Sequence, residues 1–422
     1  MIAEPTTERP GPPAWRTRAW GIVGALSVTE TVSWGILYYA FAVFLLPMQH
    51  ELGYSAAQLT GAFSLALLVS AVAGIAVGRH LDRRSPRGVM TVGSIAGVAL
   101  VFAWSQVEGL AAFYVLWVAI GIVMATVLYE PAFTVLAKWF PEAGERRRAM
   151  TTMTLAGALA SFIFLPFAQA LIDGYGWRDA LVVLAVVLGL VTVPLHGLTL
   201  RQAPEPTTGP DSAHVSFGAR AALRSIPFWM LSGAFFLATG AAIAFTVQGI
   251  PFLLERGYSA SFAAFSIGLI GISQIPGRLL FAPIAERLPA PWGTVALFVL
   301  IASGIALIVG VDSIAAVLLG LVLLGMGNGM ATLARATVIA DRYGSASYGT
   351  IASVAASATS GARAAAPVAA AAYAAVVGYS ALLVTLAAIA GIAAALAFAA
   401  ERGGFGVQPS QAASSSSASG ST

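Results

Sequence analysis

The amino-acid sequence predicts an all-α membrane protein with twelve transmembrane helices, arranged as two pseudo-symmetric halves of six helices each. Three observations lead to this prediction: the composition, the number of long apolar segments, and an internal repeat. Of the 422 residues, 58% are hydrophobic and only 9% are charged, whereas soluble domains carry about 25% charged residues. A surface with so little charge is expected to face lipid rather than water.

Twelve mostly apolar segments have about 20 or more residues, the length that a helix needs to cross a bilayer. The segment that starts at Trp20 is too long for a cleaved signal peptide, so it is counted as the first span. The spans of the first half are Trp20–Leu46, Ala57–Gly78, Gly88–Val107, Leu110–Ala137, Ala149–Ile172 and Asp179–Leu200. Those of the second half are Pro227–Leu254, Ala260–Ala285, Trp292–Val311, Ser313–Ala340, Ser347–Val377 and Tyr379–Ala400.

Polar segments divide the chain around these spans. We expect an N-terminal tail at residues 1–19, a first six-helix half at 20–200, a linker at 201–225, a second half at 226–400 and a disordered tail at 401–422. Lysine and arginine cluster in alternate connections, whereas the other connections hold only Arg178 and Arg256. Because basic loops stay in the cytoplasm, both termini and the linker are predicted to be cytoplasmic, in a protein of the inner cell membrane.

An internal repeat relates the two halves. The segment Glu51–Ala56 (ELGYSA) recurs as Glu255–Ala260 (ERGYSA). At the same spacing, three further matches follow: Asp82-Arg83 with Glu286-Arg287, Gly121 with Gly325, and Lys138-Trp139 with Arg342-Tyr343. Shared apolar composition does not explain polar residues that fall in register through four helices. The repeat therefore predicts two copies of one six-helix unit.

The connection between the second and third spans, GRHLDRRSPRG (Gly78–Gly88), carries dense charge. Asp82 is expected at the membrane edge, against either a helix N-terminus or a basic side chain. Arg83 and Arg87 would hold the loop in the cytoplasm. Two functions remain open: a determinant of orientation only, or a latch that stabilises the outward-open state. We expect Glu130, in the cytoplasmic part of the fourth span, to pair with one of the loop arginines.

This loop resembles the signature G-x-L-x-D-R-x-G-R-[RK] of the major facilitator superfamily, with Gly78, Asp82, Arg83 and Arg87 among the matching residues and Ser85 in place of the second glycine. Two six-helix halves in parallel repeat are also the architecture of that family. The resemblance implies a secondary transporter whose substrate site lies between the halves near the bilayer midplane, and whose access alternates as one half rocks against the other.

Three stretches resemble the branch of monocarboxylate transporters and oxalate:formate exchangers. They are TETVSWG (Thr29–Gly35), WFPEAGERRRAMTTMTLAG (Trp139–Gly157), and the segment around Arg278, where that branch keeps its substrate arginine. The resemblance implies a small organic anion as substrate, either a monocarboxylate or a small dicarboxylate, carried by exchange or together with protons.

Three arginines lie within predicted spans: Arg278 in the eighth, Arg335 in the tenth and Arg363 in the eleventh. Arg335 is close to the cytoplasmic edge, so a structural or gating role is expected for it, whereas Arg278 and Arg363 are candidates for the substrate site. An arginine at the bilayer centre costs at least about 2.5–3.5 kcal/mol, so its presence needs a reason. Two guanidinium groups facing a central cavity would bind a carboxylate through bidentate hydrogen bonds. The alternative for each is a structural ion pair, or a side chain that extends to the cytoplasmic interface.

Further candidates surround these arginines. Gln274 shares a helix face with Arg278 and stands where proton-coupled members of the branch commonly have an aspartate, which leaves Glu30 as the proton-coupling candidate. Trp34 and Tyr38 follow Glu30 at one-turn spacing. The remaining candidates for the cavity lining, each of which could instead serve helix packing, are Tyr129, Gln248 and Asn328.

Several classes of function are disfavoured. The chain has no phosphate-binding G-x-x-x-x-G-K-[ST] motif, no cysteine, and four scattered histidines, so we expect no ATP-driven pump, no metal site, no cofactor, no enzyme and no nucleic-acid partner. The interpretation is a monomeric carrier of organic anions in the lipid bilayer. The alternatives are an exporter of hydrophobic drugs or metabolites on the same fold and, from another class, a non-transporting receptor or scaffold.

Overall fold

The computed structural model describes residues 14–203, 218–288 and 292–402. In this part of the chain it contains twelve helices that are long and apolar enough to cross a membrane, which confirms the predicted number and order of spans. They are α1 (Arg16–Leu52), α2 (Ala56–Arg83), α3 (Pro86–Ser105), α4 (Leu110–Trp139), α5 (Ala143–Tyr175), α6 (Trp177–Thr199), α7 (Ile226–Glu255), α8 (Ala260–Arg287), α9 (Trp292–Gly310), α10 (Ile314–Tyr343), α11 (Tyr348–Val377) and α12 (Tyr379–Arg402).

The ends of the predicted segments are only partly described. The first helix begins at Ala14, earlier than the predicted start of the first span. A short helix, Ala219–Arg224, precedes α7 within the predicted linker. Most of the predicted N-terminal tail, the central part of the linker and nearly all of the predicted C-terminal tail lie outside the described residues.

Three helices of the first half are interrupted near their middle. In α1 the segment Ala14–Trp34 is followed by a π-helical turn, Gly35–Tyr39. In α4 the regular helix stops at Leu128, whose backbone is extended with φ −92° and ψ −166°, and resumes at Tyr129. Pro131 contributes to this break because it has no N–H to donate to the preceding turn. In α5 the regular helix is interrupted at Leu159.

The pseudo-symmetry predicted from the repeat is present in the packing. Within the first half α2 packs on α4, α3 on α6 and α1 on α5, and the second half repeats these contacts as α8 on α10, α9 on α12 and α7 on α11. A Cβ atom on Gly121 would lie 2.4 Å from the carbonyl oxygen of Ala66, and one on Gly325 would lie 2.5 Å from that of Ile270. The two contacts are equivalent under the repeat, so both halves need glycine at the same helix crossing.

The two halves meet at one end of the bundle, which we call the basic end: it is the end at which α2, α4, α8 and α10 finish. Contacts between halves join α2 to α11, α5 to α8 and α10, and α4 to α11. One cluster of buried apolar side chains includes residues of both halves, among them Trp139 and Met150 of the first and Tyr343 and Tyr348 of the second. The bundle is therefore closed at the basic end.

Candidate functional site

Arg278 of α8 is buried, with 7% of its surface exposed. One terminal nitrogen donates to the carbonyl oxygen of Thr154 in α5 at 2.7 Å, and the other approaches the Gln274 side-chain oxygen at a long 3.4 Å. Its Nε has no hydrogen-bond acceptor within the described residues, and no ion pair of those residues includes it. A buried cation with only neutral acceptors is a costly arrangement that typically marks a ligand or ion pathway.

Tyr129 of α4 contacts both Arg278 of the second half and Trp34 of α1. Its hydroxyl interacts with the Arg278 guanidinium, and its ring lies 4.9 Å from that of Trp34 between centroids. A Cβ atom on Gly157 would lie 2.4 Å from the Tyr129 hydroxyl, so only glycine leaves room for this tyrosine. The structure thus brings Trp34, Tyr129, Gln274 and Arg278 together at the place where α1, α4 and α5 are interrupted.

The π-helical turn in α1 changes which tyrosine faces this place. In a regular helix Glu30, Trp34 and Tyr38 would share one face. The extra residue of a π-helical turn rotates the following segment, so that Tyr39 interacts with Trp34 at 6.2 Å between ring centroids and lies within electrostatic range of Arg278. Tyr38 contacts Trp34 as well, but its ring also packs on Phe63 of α2.

Arg363 is exposed on α11, and within the described residues it takes part in no ion pair. Tyr39 lies within electrostatic range of both Arg363 and Arg278. Because Tyr39 belongs to α1 of the other half, Arg363 lies within electrostatic range of the first half. The alanines around it, Ala362 and Ala364 to Ala366, leave this part of α11 without bulk.

Glu30 is completely buried in α1, with 0% of its surface exposed. Its carboxylate interacts with the Trp34 side chain and, electrostatically, with the Glu130 carboxylate. The contact with the Trp34 indole does not have the geometry of a normal hydrogen bond, however. The two carboxylate oxygens of Glu30 and the indole N–H of Trp34 all have no hydrogen-bond partner within the described chain. Tyr129 interacts electrostatically with both Glu30 and Arg278, so one tyrosine connects the buried acid with the buried cation.

The other two candidates for the lining belong to α7 and α10 of the second half. Gln248 is buried in α7, with 6% of its surface exposed. Asn328 is half-buried in α10 and stands two turns before Arg335. It therefore shares the face of α10 that is turned toward the first half.

Asp82 connects the halves at the basic end. Its carboxylate accepts from the backbone N–H of Gly349 at 2.7 Å, and from the backbone N–H and hydroxyl of Thr350 at 2.8 and 2.6 Å. These donors belong to the first turn of α11, so the Asp82 carboxylate lies at a helix N-terminus. This is one of the two arrangements predicted for Asp82 from the sequence. A Cβ atom on Gly78 would lie 2.2 Å from the Gly349 carbonyl oxygen, which explains the glycine of the loop motif.

The arginines of the loop motif have a different environment. Arg83 and Arg87 are exposed, and neither takes part in an ion pair within the described residues. Glu130 pairs instead with Arg335 of α10, at 2.6 and 3.3 Å through both carboxylate oxygens. The expected pairing of Glu130 with a loop arginine is thus replaced by a bidentate ion pair between the halves.

Asp341 at the end of α10 forms another connection between the halves. It accepts hydrogen bonds from Arg146 and Arg147 in the first two turns of α5. Together with Thr154 and Tyr39, Asp341 was missed by sequence reasoning. The run of three arginines at 146–148 indicates a need for an acidic partner, but the spacing along the chain does not say which carboxylate lies opposite it.

The described residues contain no group of three or more His, Asp or Glu side chains that could hold a metal ion. The site consists instead of one buried arginine, one exposed arginine, one buried acid and several aromatic rings. In general, such a set of side chains is suited to bind an anion by charge and hydrogen bonds and to enclose it with apolar surface.

Two curated relatives align with the chain. Monocarboxylate transporter 13 of Bos taurus is 27% identical over 281 residues, which cover 64% of this chain and 62% of the bovine protein. The oxalate:formate antiporter of Oxalobacter formigenes is 22% identical over 237 residues, which cover 55% of each chain. The matched region thus spans between half and two thirds of these relatives.

Solved structures share the fold. The human organic anion transporter MFSD10 (TETRAN) superposes with a TM-score of 0.65 at 17% identity, covering 92% of this chain and 100% of that one. The Escherichia coli fucose:proton symporter FucP gives a TM-score of 0.68 at 15% identity, covering 92% and 99%. The family model of the Major Facilitator Superfamily matches residues 26–367. The chain therefore belongs to the Major Facilitator Superfamily and is a multi-pass membrane protein.

Proposed function

We propose that the protein is a secondary carrier of small organic anions, either monocarboxylates or small dicarboxylates, with Arg278 as the principal binding group. One observation carries this proposal: the guanidinium of Arg278 is buried between the halves and has only neutral acceptors within the described chain. A carboxylate supplies the missing negative charge and bidentate acceptors. The curated relatives, named as a monocarboxylate transporter and an oxalate:formate antiporter, support the same substrate class.

The other predicted residues take secondary parts in this site. Arg363, within electrostatic range of Tyr39, attracts the anion and provides a second cation for a dicarboxylate. Gln274 and Tyr129 orient the Arg278 guanidinium, and Trp34 closes the apolar side of the site. Gln248, Asn328 and Tyr38 lie at its margins.

We further propose that the basic end is cytoplasmic, which makes both termini cytoplasmic and the closed bundle outward-facing. The positive-inside rule supports this orientation, because the connections at the basic end carry most of the lysine and arginine. The inner cell membrane is the corresponding location.

Anion binding and access are coupled through the acceptor of Arg278. The hydrogen bond from Arg278 to the Thr154 carbonyl joins α8 to α5 and so crosses between the halves. A carboxylate that binds the Arg278 guanidinium competes with the Thr154 carbonyl for its N–H groups. Loss of the bond to Thr154 then removes one contact that keeps the basic end closed. Only a ligand with different affinities for the two states can shift their equilibrium, and this competition provides such a difference.

The test is uptake of labelled small carboxylates into proteoliposomes that contain the purified protein. Replacing Arg278→Ala removes a buried charged partner, which costs on the order of 2–5 kcal/mol, or roughly 30-fold or more in affinity. Arg287→Ala is the matched control, because it changes an exposed arginine of the same helix. We expect uptake to be lost in the first variant and kept in the second.

Two results would overturn the proposal. Equal uptake by the parent and Arg278→Ala would exclude the assigned role of this arginine. Efflux of hydrophobic dyes from cells that survives Arg278→Ala, with no carboxylate uptake by the parent, would favour the exporter of hydrophobic compounds instead.

A further inference from the structure

The charges around the candidate site do not balance. Arg278 and Arg363 contribute two positive charges, and Glu30 is the single acid of the site that has no cationic partner within the described residues. Glu130, the nearest further acid on α4, is neutralised by its ion pair with Arg335. Gln274 is uncharged. The empty site therefore carries one net positive charge when Glu30 is ionised and two when it is protonated.

We propose that Glu30 adjusts the charge of the site to that of the anion, so that one carrier exchanges monocarboxylates for dicarboxylates and a proton travels with the dicarboxylate. This inference rests on the proposed function. With Glu30 ionised, a monoanion neutralises the site. With Glu30 protonated, a dianion neutralises it. In both cases the occupied site has no net charge while the carrier changes between its two access states. This avoids the cost of an unpaired charge in a low-dielectric interior.

The position of Glu30 fits this role. The residue is completely buried and its carboxylate oxygens accept no hydrogen bond within the described chain, so no fixed donor holds it in the ionised form. It interacts with Tyr129, which also interacts with Arg278. A change of charge on Glu30 therefore changes the electrostatic environment of Arg278, the cation proposed to bind the anion.

Few other titratable groups face Glu30. The helices that pack on this part of α1 are α4, α5 and α6. The titratable side chains of α4 that interact with Glu30 are Tyr129 and Glu130. The ionisable side chains of α5 and α6 lie instead in the turns at the ends of those helices: Glu145, Arg146, Arg147, Arg148, Asp173, Tyr175, Arg178, Asp179 and His196. Within α1 itself, Arg16 and Arg18 are more than three turns away along the helix.

The proton balance is simple. On the side where a dicarboxylate dianion loads, Glu30 takes one proton from water as the dianion binds. On the other side the dianion leaves and Glu30 releases that proton. A monocarboxylate then binds to the ionised site and returns without a proton. Each heteroexchange moves one dianion with one proton against one monoanion, and is electroneutral.

The experiment uses proteoliposomes that contain the full chain, with lactate inside and malonate outside at pH 7.5. A pH-sensitive dye in the lumen measures proton entry, and a potential-sensitive dye measures charge movement. For the parent we expect lumen acidification by one proton per malonate and no membrane potential. For Glu30→Gln we expect proton entry to fall to zero and malonate–lactate exchange, where it persists, to generate a potential that is negative inside.

Controls separate this inference from folding and from the proposed function. Malonate–malonate exchange by Glu30→Gln shows that the variant folds and transports, because a dianion neutralises the two positive charges that remain in its site. Glu30→Asp should restore proton entry, and Glu142→Gln, at an exposed acid before α5, should behave as the parent. Parent exchange that generates a potential without proton entry would overturn the inference, as would proton entry unchanged in Glu30→Gln. If the parent transports neither probe, the proposed function itself fails.

Discussion

Replacing Asp82→Asn should shift the carrier from the closed basic end toward the open one. Asp82 accepts three hydrogen bonds from Gly349 and Thr350 of α11, at 2.6 to 2.8 Å, and all three cross between the halves. Asparagine keeps one acceptor oxygen, but its amino group replaces the other oxygen. This amino group is itself a donor and cannot accept from the donors of α11. The substitution also removes the negative charge from the N-terminus of α11.

The size of the effect follows from these contacts. A hydrogen bond to a charged group contributes about 1.5–3 kcal/mol net of water, and a charge at a helix N-terminus contributes about 0.3–1 kcal/mol. Asp82 is partly exposed, which favours the lower values because water screens the interaction. Loss of one such bond and of the charge therefore costs about 2 kcal/mol, or roughly 30-fold in the ratio of closed to open carrier.

The distance between two spin labels at the basic end measures this ratio directly. The chain contains no cysteine, so labels can be attached at Gly88→Cys in the first half and Ala346→Cys in the second without removing native residues. A Cβ atom at Gly88 meets no atom within 4 Å, and Ala346 is exposed. We expect a single short distance in the parent and a second, longer one in Asp82→Asn.

The matched control is Asp173→Asn. Asp173 is an exposed aspartate whose hydrogen bond from Gln169, at 2.7 Å, stays within α5 of one half. If Asp82→Asn gives the same distances as the parent and this control, the carboxylate does not act as a latch, and the loop motif serves only orientation.

Two further predictions concern the packing of the helices and halves. Glu130→Gln and Arg335→Gln should each weaken the closed basic end by about 3–5 kcal/mol, because each leaves a partner unpaired. The double variant should lose less than the sum of the two, as measured with the same spin labels. Gly325→Ala should lower the Tm of the detergent-solubilised protein, because overpacking costs about 1–3 kcal/mol. Gly391→Ala, where a Cβ atom meets nothing within 4 Å, should leave the Tm unchanged.

The fold could be predicted from the sequence because a bilayer leaves few choices. Backbone groups in lipid must be satisfied within the segment, so a long apolar run becomes a helix. The repeat gave the relation between the halves, since Gly121 and Gly325 occupy equivalent helix crossings. Arg278 could be identified as a candidate because a charge within a span requires a reason.

Local backbone geometry and partners across the bundle could not be predicted in the same way. The π-helical turn at Gly35–Tyr39 brings Tyr39 within electrostatic range of Arg278, while Tyr38 packs on Trp34 and Phe63. No residue type in GILYY requires that turn. The partners of Glu130 and of Arg146 lie in the other half, about 200 residues away in the sequence. Helical periodicity gives the face on which a residue lies, but not the helix opposite that face.

The polar contacts between the halves differ from the glycine crossings within a half, although one glycine pair, Gly78 and Gly349, also brings the backbones of the two halves together. Within a half, glycines let backbones touch at crossings such as Gly325 on Ile270, and such contacts have no replacement in another arrangement. Between the halves, Asp82, Asp341 and Glu130 hold polar groups that water can reach after separation, so opening of the basic end need not leave these groups without hydrogen-bond partners. The bond from Arg278 to the Thr154 carbonyl is the exception, because it lies beside the candidate site and is buried. Water does not readily replace that acceptor, whereas a carboxylate does. If the proposed function holds, a substrate anion releases a contact that solvent cannot, and opening of the basic end depends on the substrate.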